Sequence, residues 1–215
     1  MARRDRYQRQ DRFYKKAKTD QFVARSVYKL DELDRRHRLV QRGDVVVDLG
    51  CAPGSWLQYL SERVGRKGAV VGYDLVPVDL ALPRVVTRVA SIEALDPDTV
   101  QADLRTVLVD APQHRPVPVD AIVSDMAPKL TGIRDADQAR SVELVRIALA
   151  LCRPLLTAEK GTFVAKLFQG RDTDELVADV KVVFRDVKLL KPEATREGSR
   201  EVFVLGRRMR PSGPD

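Results

Sequence analysis

Cysteine and histidine are scarce in this chain of 215 residues, which contains two of each. Cys51 and Cys152 are far apart, so they make neither the short-spaced pair of a zinc site nor a disulfide framework, which fits a reducing compartment. With only two histidines, His37 and His114, we expect neither a histidine-built zinc site nor a Ser-His-Asp triad. We therefore expect a cytoplasmic protein that needs no metal.

Long apolar runs are also absent. No stretch approaches the roughly 18 apolar residues that a bilayer-spanning helix requires. The apolar run Ile147–Leu151 is soon interrupted by Arg153 and Pro154. A secretory signal is not expected, because the basic start of the chain leads into further polar residues. We expect no contact with membranes.

Positive charge is present in excess and is unevenly placed. The net charge is +7, and residues 1–18 hold eight Arg and Lys against Asp5 and Asp11. Tyr7, Phe13 and Tyr14 lie among these basic residues. A basic arm with aromatic side chains suits phosphate attraction and base stacking on RNA. The alternatives are a solvated, disordered leader and, less well supported because of the acidic residues, a mitochondrial presequence.

The most informative stretch is Val45–Trp56, which reads VVVDLGCAPGSW. It predicts a buried strand closed by Asp48, a tight loop between Gly50 and Gly54, and a helix from Ser55. This arrangement presents backbone N–H groups to a nucleotide-like ligand at the carboxyl end of a strand. The glycine spacing matches neither a dinucleotide fingerprint nor a phosphate loop. It favours a ligand with a ribose and a positive charge, S-adenosyl-L-methionine first, over an ordinary strand-to-helix turn.

Asp74 supports this interpretation. An acidic residue about 20 positions beyond the glycine loop grips the ribose hydroxyls of a bound nucleoside. Asp74 holds that position, at the end of a predicted strand over Ala69–Leu75. The alternative is a plain turn residue at the end of a strand.

Strands and helices alternate along the chain. Further strands are predicted at Arg84–Ala90, Val119–Met126, Gly161–Phe168, Asp186–Lys191 and Arg200–Arg207. Helices are predicted at Val27–Arg38 with Ser26 as its N-cap, from Ser55 to near Gly65, at Asp98–Val109, at Ala136–Thr157 and around Thr173–Phe184. This alternation predicts an α/β fold with a doubly wound, mostly parallel sheet of seven strands. The connection Pro192–Ser199 has no helix, so the last two strands form a hairpin and the final strand is antiparallel.

Lys166 is unusual because it lies in an otherwise apolar strand. Lysine is rarely buried without a partner or a purpose, and near the carboxyl end of its strand it would point into the ligand crevice. The alternative is a lysine whose stem packs while its amine reaches solvent. Asp125 ends the neighbouring strand, and Glu201 begins the antiparallel last strand, so both face the same rim. Lys29, from the helix before the sheet, reads most simply as an exposed lysine paired with Glu32.

These motifs together resemble the FtsJ/RrmJ-like (RlmE-type) ribosomal RNA 2′-O-methyltransferases, from about Arg12 to Arg208. The resemblance rests on ordered blocks: RSVYKLDE at 25–32, DLGCAPGSW at 48–56, SDMAP at 124–128, VAKLFQG at 164–170, KP at 191–192 and SREV at 199–202. It implies a Rossmann-like class I S-adenosyl-L-methionine-dependent methyltransferase domain over residues 25–210. Residues 1–24 are then the basic, RNA-binding arm, and residues 211–215 a tail. Whether the arm is ordered without RNA stays open.

The resemblance also implies site residues. The catalytic tetrad of the family falls on Lys29, Asp125, Lys166 and Glu201. Its cofactor contacts fall on Gly54, Trp56, Asp74 and Asp125, with Gly50 in the same loop. Three positions depart from the family pattern: Ser91 replaces an acidic residue near the adenine, for which Glu93 is a substitute; Lys129 replaces asparagine; and Ser55 replaces glycine.

The implied reaction is methyl transfer from S-adenosyl-L-methionine to a ribose 2′-hydroxyl, with Lys166 as the base. A base is needed because a free hydroxyl is a poor nucleophile. Burial and a neighbouring cation favour the neutral form of a lysine. The family's substrate is a uridine in the A-loop of large-subunit ribosomal RNA, in the assembled subunit. We expect this partner and a monomer; the alternatives are transfer RNA or messenger RNA caps, a small-molecule acceptor, and a noncatalytic RNA-binding protein.

Overall fold

The computed structural model describes residues 12–112 and 114–211. Within these ranges, seven strands form one sheet in the order β3-β2-β1-β4-β5-β7-β6. They are β1 Val45–Leu49, β2 Ala69–Asp74, β3 Val85–Val89, β4 Ala121–Ser124, β5 Thr162–Phe168, β6 Phe184–Leu190 and β7 Glu201–Met209. Strands β1 to β5 pair in parallel, and β7 pairs antiparallel with both β5 and β6. The predicted seven-stranded α/β sheet with an antiparallel last strand is therefore confirmed.

Helices cover both faces of the sheet. They are α1 at 12–19, α2 Val27–His37, α3 Ser55–Val64, α4 Pro97–Val107, α5 Arg134–Ala150, α6 Cys152–Leu155 and α7 Thr173–Val183. Apolar side chains of α4, α5 and α7 pack on one face, and those of α2 and α3 pack on the other. Strand β1 is buried at every position because it lies in the middle of this sandwich. None of the helices in the described ranges combines the length and apolarity of a membrane span.

The predicted helix Ala136–Thr157 is wrong as one continuous element. Helix α5 ends at Ala150, and the separate turn α6 follows it. Pro154 explains the break, because proline has no N–H for the carbonyl four residues earlier and its ring clashes with it. The apolar stripe predicted for this segment is nevertheless buried: Val142, Val145, Leu149, Cys152 and Leu156.

Strand β4 is shorter than the predicted Val119–Met126. Val119 makes only an isolated bridge to Leu156, and regular pairing stops at Ser124. Asp125 consequently lies in the loop beyond the strand, where its side chain and carbonyl are free to bind other groups.

Part of the predicted arm packs on the domain. Ala17 of α1 is buried against Val27 and Tyr28 of α2, and the ring of Phe13 lies 5.6 Å from that of Tyr28. Residues 1–11, including Tyr7, and residues 212–215 of the predicted tail lie outside the described residues. The domain boundaries at 24 and 210 stay predictions.

Candidate active site

The carboxyl ends of the parallel strands define one rim of the sheet, which we call the rim. Strand β7 runs the other way, so Glu201 at its start pairs with Phe168 at the end of β5. Lys166 lies two residues before that end and has Phe203 opposite it. The topology therefore brings the end of β5 and the start of β7 to the same rim.

Lys166 is buried at this rim, with 7% of its surface exposed. Its Nζ lies 2.9 Å from Asp125 Oδ1 and also donates a hydrogen bond to the main-chain oxygen of Asp125. The alternative, in which the amine extends to solvent, is wrong. Asp125 fixes the position of the amine through two of its own atoms.

Lys29 is buried as well, with 7% of its surface exposed. Its Nζ lies 3.1 Å from Glu201 Oε2 and 3.9 Å from Asp125 Oδ1. The interpretation of Lys29 as an exposed lysine paired with Glu32 is therefore wrong. Glu32 instead pairs with Arg36 and accepts a hydrogen bond from the main chain of Glu193.

Two lysines and two acidic residues thus meet at the rim: Lys29, Lys166, Asp125 and Glu201. Burial alone would raise the pKa of Glu201, but the Lys29 ammonium, its hydrogen bond and the charge of Lys166 together lower that pKa. Glu201 is therefore held as a carboxylate, which balances the charge of Lys29. Asp125 links the two lysines.

The glycine loop after β1 lies directly beside Asp125. Gly50 has φ of +79°, and a Cβ there would lie 2.6 Å from Met126 Cγ and 3.0 Å from Met126 Cα. A side chain at this position would push the glycine loop away from the loop that carries Asp125. Glycine is required here because the two loops touch.

Asp74 holds the same glycine loop from the other side. Its Oδ2 accepts a hydrogen bond from Ala52 N at 2.9 Å, and its Oδ1 accepts one from Val76 N at 3.0 Å. Each carboxylate oxygen keeps a further lone pair for a ligand hydroxyl. The predicted ribose contact of Asp74 is compatible with this arrangement and stays a prediction.

Asp48 is a residue whose importance sequence reasoning missed, since it counted only as the end of a strand. It is fully buried, and neither carboxyl oxygen has a hydrogen-bond partner among the described residues. Burial raises its pKa well above the usual range, and the charges of Asp125 and Asp74 raise it further. Buried polar groups are nearly always hydrogen-bonded, so the carboxyl group of Asp48 indicates that a ligand or water binds beside the glycine loop and Asp74.

Comparison with known proteins identifies the family to which this site belongs. Residues 22–209 match the profile of the FtsJ-like methyltransferases. A ribosomal RNA large subunit methyltransferase E from Bdellovibrio bacteriovorus is 43% identical, over 93% of this chain and 97% of the relative. The protein of the same name from Myxococcus xanthus is 40% identical, over 97% of this chain and 94% of the relative.

The chain belongs to the FtsJ-like methyltransferase family. A solved structure agrees: a ribosomal RNA methyltransferase from Plasmodium falciparum is 26% identical and superposes with a TM-score of 0.72, over 87% of this chain and 98% of that one. The predicted family and the prediction of a methyltransferase are confirmed. A noncatalytic RNA-binding protein is therefore not supported.

Other residues of this FtsJ-like site differ from their predicted roles in detail. Ser26 does not cap α2 with its side chain, because its backbone is already helical, with φ of −60° and ψ of −22°. Its Oγ instead hydrogen-bonds Ser55 Oγ at 2.8 Å, and its carbonyl accepts from Trp56 Nε1 at 3.0 Å. The Trp56 ring is buried and stacks on Phe203. A cofactor contact by Trp56 is therefore left to its main chain, in the first turn of α3.

Ser91 and Glu93, the residues predicted to lie near the adenine, contact each other just beyond β3. Ser91 Oγ accepts a hydrogen bond from Glu93 N at 3.3 Å and so caps the short turn Ile92–Ala94, while the side chain of Glu93 is exposed. Across residues 12–112 and 114–211, no group of three or more His, Cys, Asp or Glu side chains is placed to hold a metal ion.

Proposed function

We propose that this chain methylates a ribose 2′-hydroxyl of large-subunit ribosomal RNA with S-adenosyl-L-methionine, at an A-loop uridine in the assembled subunit. The observation that carries the proposal is the meeting of Lys29, Asp125, Lys166 and Glu201 at one rim. The names of the relatives support ribosomal RNA of the large subunit as the acceptor. The uridine, the A-loop and the assembled subunit follow from the family resemblance.

The glycine loop between Gly50 and Gly54, together with Asp48 and Asp74, forms what we call the cradle, and these residues fit the cofactor. Gly50 has a left-handed backbone with φ of +79°, Gly54 is the N-cap of α3, and Asp74 holds the same loop. The carboxyl group of Asp48, in the strand before this loop, has no hydrogen-bond partner among the described residues. When bound by Gly50, Gly54, Trp56, Asp74 and Asp125, S-adenosyl-L-methionine supplies a methyl group on a sulfonium, which is open to attack by an oxygen nucleophile.

Lys166 is the proton acceptor in the proposed reaction. The 2′-hydroxyl would give its proton to the free amine of Lys166 as its oxygen forms the new bond to the methyl carbon, and the bond between that carbon and the sulfonium sulfur would break in the same step. Asp125 fixes Nζ at 2.9 Å and so sets where the hydroxyl must lie. Lys29 and Glu201 neutralise each other and flank the ribose. Lys29 and Lys166 are buried, and Asp125 and Glu201 are half-buried.

The direct test supplies tritiated S-adenosyl-L-methionine with purified large subunits, free ribosomal RNA and bulk transfer RNA as separate acceptors. We expect label on the large subunit, resistant to alkali at one internucleotide linkage, because a 2′-O-methyl group blocks cleavage there. Label only on transfer RNA would move the substrate to that class. Absence of label on every RNA, despite cofactor binding, would contradict the proposal and favour a small-molecule acceptor.

Lys166→Ala tests the assignment of the base. We expect it to lower the rate of transfer by at least about 100-fold, because it removes the proton acceptor. Affinity for S-adenosyl-L-methionine, measured by calorimetry, should change little. The matched control is Lys188→Ala, which removes an exposed lysine of β6. Turnover retained in Lys166→Ala would assign the base to another group.

A further inference from the structure

Two arginines lie one turn before two of the catalytic residues. Arg25 precedes Lys29 by four positions, and Arg196 precedes Glu201 by five. The carbonyl of Arg25 accepts from Tyr28 N at 3.2 Å, and the carbonyl of Arg196 accepts from Ser199 N at 3.0 Å, so each begins a tight turn. Because Lys29 and Glu201 are joined at 3.1 Å, these two turns come together beside the catalytic residues.

The loop that carries Arg196 is fixed on α2. Glu32 Oε2 accepts hydrogen bonds from the main-chain N–H groups of Glu193, at 2.8 Å, and Ala194, at 3.4 Å. The side chain of Ala194 is buried against Val27 and Tyr28. The loop between β6 and β7 is therefore held against the same end of α2 that Arg25 precedes.

Neither guanidinium group has a partner within residues 12–112 and 114–211. Across the part of the chain that the structure describes, the side chains of Arg25 and Arg196 make no hydrogen bond or ion pair, although Arg25 is half-buried. Other arginines of comparable exposure lie 2.5 to 2.9 Å from carboxylates: Arg63, Arg88, Arg146 and Arg208. Glu201, whose charge acts on both Arg25 and Arg196, is already bound to Lys29. Two cations are thus left near each other, and the carboxylate that acts on both is paired elsewhere.

The electrostatics agree with this description. Burial lowers the pKa of Arg25, and the charge of Arg196 lowers it further, while Glu201 partly offsets both. The two arginines therefore repel each other in the free protein. An anion between them would relieve this repulsion.

Building on the proposed function, we propose that Arg25 and Arg196 together bind the RNA phosphate that adjoins the target ribose. In RNA the carbon that bears the 2′-hydroxyl is bonded to the carbon that bears the 3′-phosphate. A phosphate held one turn from Lys29 and Glu201 would therefore place the ribose at the catalytic residues. Guanidinium groups bind phosphate through two parallel hydrogen bonds, which fixes orientation as well as charge. S-adenosyl-L-methionine has no phosphate, so this site belongs to the RNA.

The test compares Arg25→Met, Arg196→Met and the double variant with Arg66→Met. Arg66 is exposed in the turn before β2, at the opposite end of the sheet, and is the matched control. Methylation of large subunits is measured over a range of salt concentrations. Each single variant should raise KM for subunits and lower kcat/KM by about 10-fold or more. The slope of log kcat/KM against log salt should become shallower by about one, as expected for one lost phosphate contact.

Three further results follow from a shared phosphate. The double variant should lose less than the product of the single losses, because both arginines contact one group. Arg196→Lys should keep the wild-type salt slope but reach only part of the wild-type kcat/KM. Lysine keeps the positive charge but cannot make the two parallel hydrogen bonds of a guanidinium group. Affinity for S-adenosyl-L-methionine and the melting temperature should not change.

The opposite results overturn the proposal in distinguishable ways. Unchanged kinetics and salt slope in both Arg→Met variants, with a wild-type protein that methylates subunits, would reject the phosphate site alone. Lost cofactor affinity or a lower melting temperature in both variants would replace it with a structural role. A wild-type protein that labels no RNA would reject both the phosphate site and the proposed function.

Discussion

Two aspartates of this protein are equally buried and entirely different in their surroundings. Asp34, near the end of α2, accepts hydrogen bonds from Val40 N at 3.0 Å, Tyr59 Oη at 2.7 Å and Arg63 Nε at 2.6 Å. Asp48, at the end of β1, has no hydrogen-bond partner among the described residues. Both are 0% exposed. Burial alone therefore does not say whether a carboxylate supports the fold or serves a ligand.

The contacts of Asp34 and Asp48 indicate different roles for the two carboxyl groups. The carboxylate of Asp34 is matched within the protein, and it joins α2, α3 and the loop after α2 into one unit. At the rim, the carboxyl group of Asp48 lies unpartnered and faces the charges of Asp74 and Asp125. Unsatisfied or opposed charges cost stability, and folds retain them where a ligand completes the set.

The largest expected change in the free energy of unfolding comes from replacing Asp34, whose hydrogen bonds are all made within the protein. Asp34→Asn should lower the free energy of unfolding by about 2–4 kcal/mol, because Arg63 loses its ion pair and an amide replaces a carboxylate that accepts three hydrogen bonds. Urea denaturation measures this loss. The control on the same helix is Asp31→Asn, whose partner Arg35 is exposed and which should cost less than about 1 kcal/mol. Equal losses in the two variants would contradict the structural role of Asp34.

The contrast also separates what the sequence could predict from what it could not. The valine run before Gly50, the alternation of strands and helices, and the missing helix between β6 and β7 are local signals, and the sheet followed from them. Lys166 could be singled out because a lysine within an apolar strand is a local anomaly. Its position at the carboxyl end of β5 then placed it near Asp125.

Long-range partners could not be predicted in this way. Lys29 looks like an ordinary surface lysine of a helix, and its burial depends on Glu201, 172 positions away. The same holds for Arg25 and Arg196, whose common feature is a shared location. Ser26 does not cap α2 with its side chain because its backbone is already helical, and its hydroxyl pairs instead with Ser55 of another helix. Family resemblance supplied Lys29; periodicity and spacing did not.

A smaller change in the free energy of unfolding is expected at the rim, when the ion pair between Glu201 and Lys29 is removed. Glu201→Gln should lower the free energy of unfolding by about 1 kcal/mol at pH 7, because Lys29 keeps only Asp125 at 3.9 Å as an anionic partner. The pKa of Glu201 is lowered in the folded state, so the stability it adds is present above the ordinary glutamate range. That contribution disappears as the pH falls through the lowered pKa. Unfolding curves of the two proteins should therefore converge in acid, and a gap that is constant with pH would contradict the ion pair.

The smallest change in the free energy of unfolding, and the only increase among these three variants, is expected when Asp48 is replaced. The carboxyl can bind a proton in the folded protein, so its cost is limited, and Asp48→Asn should stabilise the cofactor-free protein slightly at neutral pH. Because its pKa is raised in the folded state, Asp48 binds its proton more tightly in the native protein than in the unfolded chain, and its contribution to stability falls as the pH rises above about 4. The variant lacks this fall, so its advantage should grow with pH up to the raised pKa of Asp48 and vanish in acid. Asp34→Asn should be less stable than wild type over the same range. If Asp48→Asn were also less stable than wild type at neutral pH, Asp48 would have a stabilising partner within the fold. Asp34 and Asp48 would then both support the fold and would differ only in where they lie.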